Sequence, residues 1–131
     1  MIYGIDITPF MKARHKFDTF RQNLITEQDK AGAVQAFEYC FELSWKTLKR
    51  LLNKKGIDVK SPRDCFREAA LNRMISDPKE WFVFLDKRNL TSHTYNEDAL
   101  NDVIKIFDDF SKALSEIVDF IDKEHAKEAF F

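Results

Sequence analysis

The 131-residue sequence has little glycine, proline or cysteine and no long apolar run. Three glycines and three prolines, without a serine-rich or proline-rich tract, argue against disorder, and the absence of an internal repeat argues against a solenoid. No apolar stretch reaches the roughly 18 residues that a membrane span needs, and the N-terminus lacks the features of a signal peptide. We therefore expect one domain over residues 1–131, located in the cytoplasm.

Cysteine and histidine are too few and too scattered to indicate a metal site. Cys40 and Cys65 stand alone, as buried thiols of an intracellular chain usually do, and His15, His93 and His125 lie far apart. No Cys-x2-Cys or His-x3-His spacing occurs. We expect neither a metal nor a cofactor.

The formal net charge of −1 hides a segregation of charge along the chain. Residues 46–73 carry a net +6 and residues 96–131 a net −6. A basic surface can attract RNA phosphates, although a near-neutral total argues against a strong non-specific binder. The candidates for RNA contact are Lys46, Lys49, Arg50, Arg63 and Arg67. A solvated helix face would explain these five residues equally well.

Apolar spacing predicts an all-α protein. The clearest helix runs from about Glu97 to Glu124, with Asn96 as its N-cap. Its seam repeats at alternating steps of three and four residues. The seam residues are Leu100, Val103, Phe107, Phe110, Leu114, Ile117 and Ile121.

Four further helices complete the prediction. One spans about Lys30 to Asn53 and is stopped by Gly56, and an N-terminal one spans about Pro9 to Gln28. Two shorter helices begin at the cap-and-proline pairs Ser61-Pro62 and Asp77-Pro78, and the second of them carries Arg88. Met1 to Ile7 is expected to be extended. These elements predict an antiparallel four-to-five-helix up-down bundle.

Thirteen phenylalanines are more than these seams require. Since exposed apolar patches tend to mark interfaces, we expect a homodimer in which some of the extra rings face the second subunit. A wide aromatic core within one bundle is the alternative. The phenylalanines outside the seams include Phe20, Phe66, Phe84, Phe120, Phe130 and Phe131. Trp45 and Trp81 suit either a core or an interface.

The segment Arg88-Asn89-Leu90-Thr91-Ser92-His93-Thr94-Tyr95 combines a fixed cation, a titratable imidazole and a phenol. A guanidinium holds phosphate oxygens and an imidazole can transfer a proton, which are the parts of a metal-free phosphodiesterase. Arg88 and His93 are five residues apart and would point about 140° apart on a straight helix. They can converge on one phosphate if the helix ends between them. A polar joint between two helices is the alternative reading of this segment.

Three blocks of sequence together resemble a known family. They are Phe37 to Lys49, Ser61 to Ala69 and Arg88 to Tyr95, and they resemble the HepT-like group of the HEPN superfamily, long labelled nucleotidyltransferase substrate-binding proteins. The resemblance covers about Lys30 to Asp122 and does not extend over residues 1–29.

The resemblance implies a dimeric bundle of HEPN type that acts as a metal-independent endoribonuclease toxin, with RNA such as tRNA as substrate. Arg88, Asn89 and His93 would match its catalytic motif, and Tyr95 the tyrosine that a partner minimal nucleotidyltransferase, the antitoxin, modifies with AMP. Two other functions remain open: a non-catalytic substrate-binding subunit of a two-component nucleotidyltransferase, and a structural helical dimer. Glu38 and Glu42, one helical turn apart, could also form an acid pair.

Overall fold

The computed structural model describes residues 1–128, in which all regular elements are helical. They are α1 (Thr8–Arg21), α2 (Glu27–Lys54), α3 (Pro62–Leu71), α4 (Pro78–Leu90), a 3₁₀ turn (Thr91–His93), α5 (Glu97–Ile104) and α6 (Phe107–Glu128). Short connections fold consecutive long helices back on one another. The all-α prediction is confirmed. Within residues 1–128, no helix is long and apolar enough to cross a membrane.

The predicted helix starts depend on local capping chemistry. The Ser61 hydroxyl accepts a hydrogen bond from the Asp64 amide at 3.2 Å, and the Asp77 carboxylate accepts one from the Lys79 amide at 2.9 Å. Each cap residue precedes a proline, which is pre-set for the first helical turn. The predicted starts of α3 and α4 are confirmed. Helix α2 ends just before Gly56, whose φ of +80° suits a glycine.

The first connection lies earlier than the sequence predicted. Helix α1 ends at Arg21 instead of Gln28, because Thr26 and Asp29 form a capping box that starts α2 at Glu27. The Thr26 hydroxyl accepts from the Asp29 amide at 3.0 Å, and the Asp29 carboxylate accepts from the Thr26 amide at 2.9 Å. The start of α2 is thereby three residues earlier than predicted.

The single C-terminal helix predicted for Glu97 to Glu124 is interrupted. The amide of Ile106 bonds to the carbonyl of Val103 at 3.3 Å, one residue closer than in an α-helix, and this tighter turn separates α5 from α6. Ile106 and Phe107, although adjacent in sequence, are both buried. The tightened turn thus adds Ile106 to the seam, and α6 continues to Glu128.

Aromatic side chains fill the core between the helices. The Phe110 ring lies 4.9 Å from Phe37 and 5.1 Å from Phe17, both in edge-to-face geometry, and 5.7 Å from Trp81. Phe84 is also fully buried, 5.2 Å from Phe110.

Two of the phenylalanines predicted to be available to a second subunit are therefore core residues. Phe66 and Phe84 are fully buried because they pack against Trp81, and Phe20 and Phe120 are partly buried. Phe130 and Phe131 lie outside the described residues. Trp81 belongs to the core, whereas Trp45 is only partly buried.

The N-terminus forms a tight turn where an extended segment was predicted. Ile2 and Ile5 exchange backbone hydrogen bonds of 2.9 and 2.8 Å around Tyr3 and Gly4, both with positive φ. The turn buries both isoleucine side chains. The Tyr3 hydroxyl donates to the buried carboxylate of Glu124, which attaches this turn to α6.

Candidate functional site

The site is built where α4 ends, between Arg88 and His93. The buried Thr91 hydroxyl donates to the carbonyl of Arg88 at 2.6 Å, and the Ser92 hydroxyl donates to that of Asn89 at 3.3 Å. These side chains occupy carbonyls that a continuing helix would have used. The chain passes into the 3₁₀ turn, so α4 ends between Arg88 and His93, which is the condition stated above for the two side chains to converge on one phosphate.

The turn presents His93 and Tyr95 to solvent. Both side chains are exposed, Tyr95 to 87%, and their ring centroids lie 6.2 Å apart at an interplanar angle of 69°. Within residues 1–128 neither ring is hydrogen-bonded to another group. The imidazole and the phenol are therefore neighbours that a ligand or a modifying enzyme can reach.

Arg88 is held more firmly than His93. Its Nε donates to Oε1 of Glu42, on α2, at 3.0 Å, and the other oxygen of that carboxylate accepts from the indole N–H of Trp45 at 3.1 Å. Arg88 and Glu42 are each about one-third exposed (35% and 34%). The two Nη groups of Arg88 form no hydrogen bond to the described residues. The guanidinium is thus anchored on one side and available on the other.

Of the two glutamates considered as an alternative acid pair, Glu42 has its carboxylate engaged by Arg88 and Trp45. Sequence reasoning missed this contact because it joins residues 46 positions apart. One indication of it was present in the sequence: Glu42 and Trp45 lie in the first segment that resembles the known family, and Arg88 lies in the third.

Asn89 has an exposed side chain whose amide forms no hydrogen bond within residues 1–128. It follows Arg88 on the last turn of α4. The structure therefore leaves its amide accessible to a ligand at the end of α4.

The five basic candidates fall into two groups. Arg63 and Arg67 of α3 both stack on Phe82 of α4, at 5.0 and 5.2 Å from its centroid. Each also has an acidic neighbour: Arg63 lies 3.5 Å from Asp86, and Arg67 lies 3.7 Å from Asp64. Their positive charge is therefore partly compensated.

The second group lies on α2. Lys46 and Arg50 are exposed, and Lys49 is partly buried with its Nζ 6.0 Å from the Trp45 centroid. The same indole donates a hydrogen bond to Glu42, the residue that holds Arg88, so Lys49 lies close to that hydrogen-bonded group.

Tyr95 also lines an open cleft of about 480 Å³ between α2 and the start of α5. The lining residues are Glu27, Lys30, Ala31, Thr94, Tyr95, Glu97 and Leu100. The cleft carries charges of both signs. Its wall is mainly the first turns of α2 and α5, next to the exposed phenol.

Neither cysteine belongs to this site. Cys40 and Cys65 are buried, and burial raises the pKa of each thiol to about 12. Within residues 1–128, no group of three or more His, Cys, Asp and Glu side chains is arranged to hold a metal ion.

Comparison with known proteins agrees with the three sequence blocks. Residues 6–123 match the family described as nucleotidyltransferase substrate binding protein like. A protein of Haemophilus influenzae (strain ATCC 51907 / DSM 11121 / KW20 / Rd) named "Probable ribonuclease HepT" is 35% identical over 113 residues, which cover 82% of this chain and 77% of that protein.

Solved structures share the fold. A crystal structure of a Thermus thermophilus protein superposes with a TM-score of 0.80 at 26% identity, covering 86% of this chain and 98% of that chain. A solved structure of a Haemophilus influenzae protein superposes with a TM-score of 0.78 at 28% identity, covering 88% of this chain and 98% of that chain. That structure was described as the fold of a substrate binding domain of a nucleotidyltransferase. The predicted resemblance to the HepT-like group is confirmed, and the family match begins at residue 6, well before the predicted bound at Lys30.

Proposed function

This chain belongs to the nucleotidyltransferase substrate binding protein like family, and on that premise we propose that it is a metal-independent endoribonuclease toxin regulated by a partner nucleotidyltransferase. The observation that carries the proposal is the end of α4, where an anchored guanidinium with unbonded Nη groups is followed by an exposed imidazole. The likeness to a protein named as a ribonuclease supports the same conclusion.

The chemistry needs only groups that RNA and the site supply. His93 removes the proton of the 2′-hydroxyl, and the 2′-oxygen attacks the adjacent phosphorus. The bond from phosphorus to the 5′-oxygen breaks, leaving a 2′,3′-cyclic phosphate, and the departing oxygen takes up a proton from the protonated imidazole or water. Arg88 stabilises the charge on the phosphorane oxygens through its Nη groups. Asn89 offers an amide to the same phosphate.

We infer a homodimer that covers α4. One side of this helix exposes Val83 to 44% and leaves Leu90 partly buried, on the same stripe as Asp86. Val83 and Leu90 would supply the apolar contacts of this interface, with the charged Asp86 between them. Because Arg88 and Asn89 end the same helix, a second copy at this stripe would lie close to the catalytic groups and narrow the site around one RNA strand.

Regulation acts on Tyr95. Its exposed phenol oxygen attacks the α-phosphorus of ATP bound to the partner nucleotidyltransferase, pyrophosphate leaves, and the phenol proton passes to solvent. The resulting phosphodiester puts a negative charge near His93 and competes with RNA for the Arg88 guanidinium. The 6.2 Å between the rings of Tyr95 and His93 supports this reading.

RNA approaches across the basic residues of α2 and α3. Lys46, Lys49, Arg63 and Arg67 are proposed to contact its phosphates, with tRNA as the expected class of substrate. The two arginines exchange their carboxylate neighbours for phosphate when RNA binds. Binding should weaken with added salt, since each neutralised phosphate releases counterions.

A second function is favoured by the family description and by one solved structure, which was described as a substrate binding domain of a nucleotidyltransferase. In that case the same Arg88 and His93 bind a phosphate without cleaving it, and the partner enzyme performs the chemistry.

One experiment separates the two functions. The purified chain is incubated with total tRNA in EDTA, and the 3′ ends of the products are read for cyclic phosphate. His93→Ala should reduce cleavage by about 10²- to 10⁴-fold, since a general acid–base group is lost. His15→Ala, which removes an exposed histidine of α1, is the matched control and should cleave like wild type. Absence of cleavage by a folded, Tyr95-unmodified wild type supports the substrate-binding subunit.

A further inference from the structure

Glu42 is the acidic residue that α2 contributes to the end of α4. Its carboxylate accepts one hydrogen bond from Nε of Arg88 at 3.0 Å and one from the indole of Trp45 at 3.1 Å. We propose that Glu42, fixed by Trp45, is a positioning residue that aims the Nη groups of Arg88 at the RNA phosphate. The inference rests on the proposed ribonuclease function and adds two residues to its site.

The central observation is that the two carboxylate oxygens of Glu42 have different partners. A free carboxylate tends to bind arginine with both oxygens, which would engage one Nη as well as Nε. Here Oε2 is occupied by Trp45, and Glu42 reaches Arg88 through Oε1 alone. The guanidinium plane is thereby oriented from its Nε edge, while both Nη groups stay available for phosphate.

Trp45 is itself restrained. The thiol of Cys65 donates to its backbone carbonyl at 3.5 Å, and Lys49 lies over its ring. The Cys65 bond fixes the backbone at Trp45, and the partly buried indole has few rotamers and a single polar atom, which is bonded to Glu42. Orientation therefore passes from α2 and α3 through Trp45 and Glu42 to Arg88.

Two physical effects of Glu42 oppose each other, and their sign can be measured. As a negative charge it attracts the guanidinium and competes with phosphate, so its removal would strengthen RNA binding and raise the rate. As an orienting group it lowers the conformational freedom of Arg88 in the transition state, so its removal would lower kcat. A misplacement of about 1 Å can cost on the order of 100-fold in rate. That exceeds the roughly few-fold change expected from removing an ion pair whose two partners are each about one-third exposed. The orienting effect should dominate.

The test compares Glu42→Gln with wild type in single-turnover and steady-state cleavage of tRNA. The variant keeps the size of the side chain but loses its charge and one acceptor. We expect kcat to fall about 10- to 100-fold while KM stays within about threefold. Glu38→Gln, one turn away on α2 and without a bonded partner in residues 1–128, is the matched control and should retain wild-type values. An unchanged or raised kcat for Glu42→Gln would overturn the proposal.

A second pair of variants separates positioning from direct catalysis. In an Arg88→Lys background, Glu42→Gln should change the residual rate by less than about twofold, because its effect acts through the guanidinium. In Glu42→Gln the pH profile of kcat/KM should keep its shape. If Glu42 were instead a general base, replacing it would remove one limb of that profile. Trp45→Phe frees Oε2 to take an Nη of Arg88, so KM should rise. Additive losses in the double variant, or a missing limb, would contradict a positioning role.

A readout without RNA distinguishes failure of this inference from failure of the proposed function. The Nε–H signal of Arg88, assigned by its loss in Arg88→Lys, is followed by NMR in the His93→Ala protein. If the Arg88 Nε–H exchanges slowly with water in His93→Ala and quickly in the double variant His93→Ala, Glu42→Gln, the anchor is supported even if wild type cleaves no RNA. Equal exchange in both proteins would sink the proposal even if wild type is an active ribonuclease.

Discussion

Helix α4 joins two contrasting regions of the molecule. In its first turns Trp81 and Phe84 are buried among aromatic rings, whereas Arg88 at its end and His93 beyond it reach solvent. The buried half is held by packing over many rings, and the other half by a few polar contacts such as that of Arg88 with Glu42. One helix therefore belongs to both a core region, around Trp81 and Phe84, and a polar region, from Arg88 onward, and variants in each should have different consequences.

Phe110→Ala should have the largest effect on folding. Its ring is fully buried and packs against Phe17, Phe37, Trp81 and Phe84. Removing it leaves a cavity at the centre of the core and should lower the free energy of unfolding by about 3–5 kcal/mol. Urea unfolding at one fixed protein concentration measures this, since the proposed dimer would make stability depend on concentration.

The control for the core variant is Phe120→Ala. This ring is only partly buried on α6, so the loss should be about 1–2 kcal/mol, in proportion to the smaller apolar area removed from water. The core variant should also keep its activity. Under conditions where Phe110→Ala is still folded, tRNA cleavage per folded molecule of Phe110→Ala should equal that of wild type. A loss of cleavage larger than the loss of folded protein would show that the two regions are coupled.

Asn96→Ala tests the polar region at its far end. The Asn96 carboxamide oxygen accepts from the amides of Asp98 at 2.9 Å and Ala99 at 3.3 Å, which caps α5. Its loss should cost about 1 kcal/mol. Asn101→Ala makes the same chemical change at an exposed position within α5, where the side chain is unbonded in residues 1–128, and should stay within about 0.5 kcal/mol of wild type. Equal losses would contradict the capping role.

The contrast between the two regions also explains what sequence can predict. The helix starts at Ser61 and Asp77 follow from chemistry within a few residues, and they were predicted correctly. The break between Arg88 and His93, which the sequence offered only as a condition for a shared site, depends on equally local hydrogen bonds. The resemblance to the HepT-like group used the same local blocks. The tightened turn at Ile106 was missed because the apolar seam from Leu100 to Ile121 continues through it without a break in spacing.

Contacts between distant segments were beyond sequence reasoning. The bond of Glu42 to Arg88 joins α2 to α4, and the burial of Phe66 and Phe84 depends on how α3 and α4 pack against Trp81. A periodic pattern indicates which side of a helix is apolar but not which helix covers it. The catalytic roles of Arg88, Asn89 and His93, and the modification of Tyr95, stay predictions.

The smallest expected effect lies far from both regions, at the N-terminal turn. The hydrogen bond from Tyr3 lowers the pKa of Glu124 below its ordinary 4.5, with Lys127 adding to the shift, and the same bond raises the pKa of Tyr3 above 10.0. A lowered carboxyl pKa contributes stability that is present above about pH 4.5 and is lost as the pH falls through the folded value. A raised phenol pKa contributes stability that is present below about pH 10 and is lost above it.

Tyr3→Phe should therefore lower Tm modestly at neutral pH, and the difference from wild type should shrink below about pH 4.5 and above about pH 10. Tyr39→Phe removes an exposed phenol without a hydrogen bond in residues 1–128 and should leave Tm unchanged at every pH. If the Tyr3→Phe difference were instead constant over the whole range, the phenol would contribute through packing alone. The turn would then be held to α6 by the buried Ile2 and Ile5 and not by the carboxylate of Glu124.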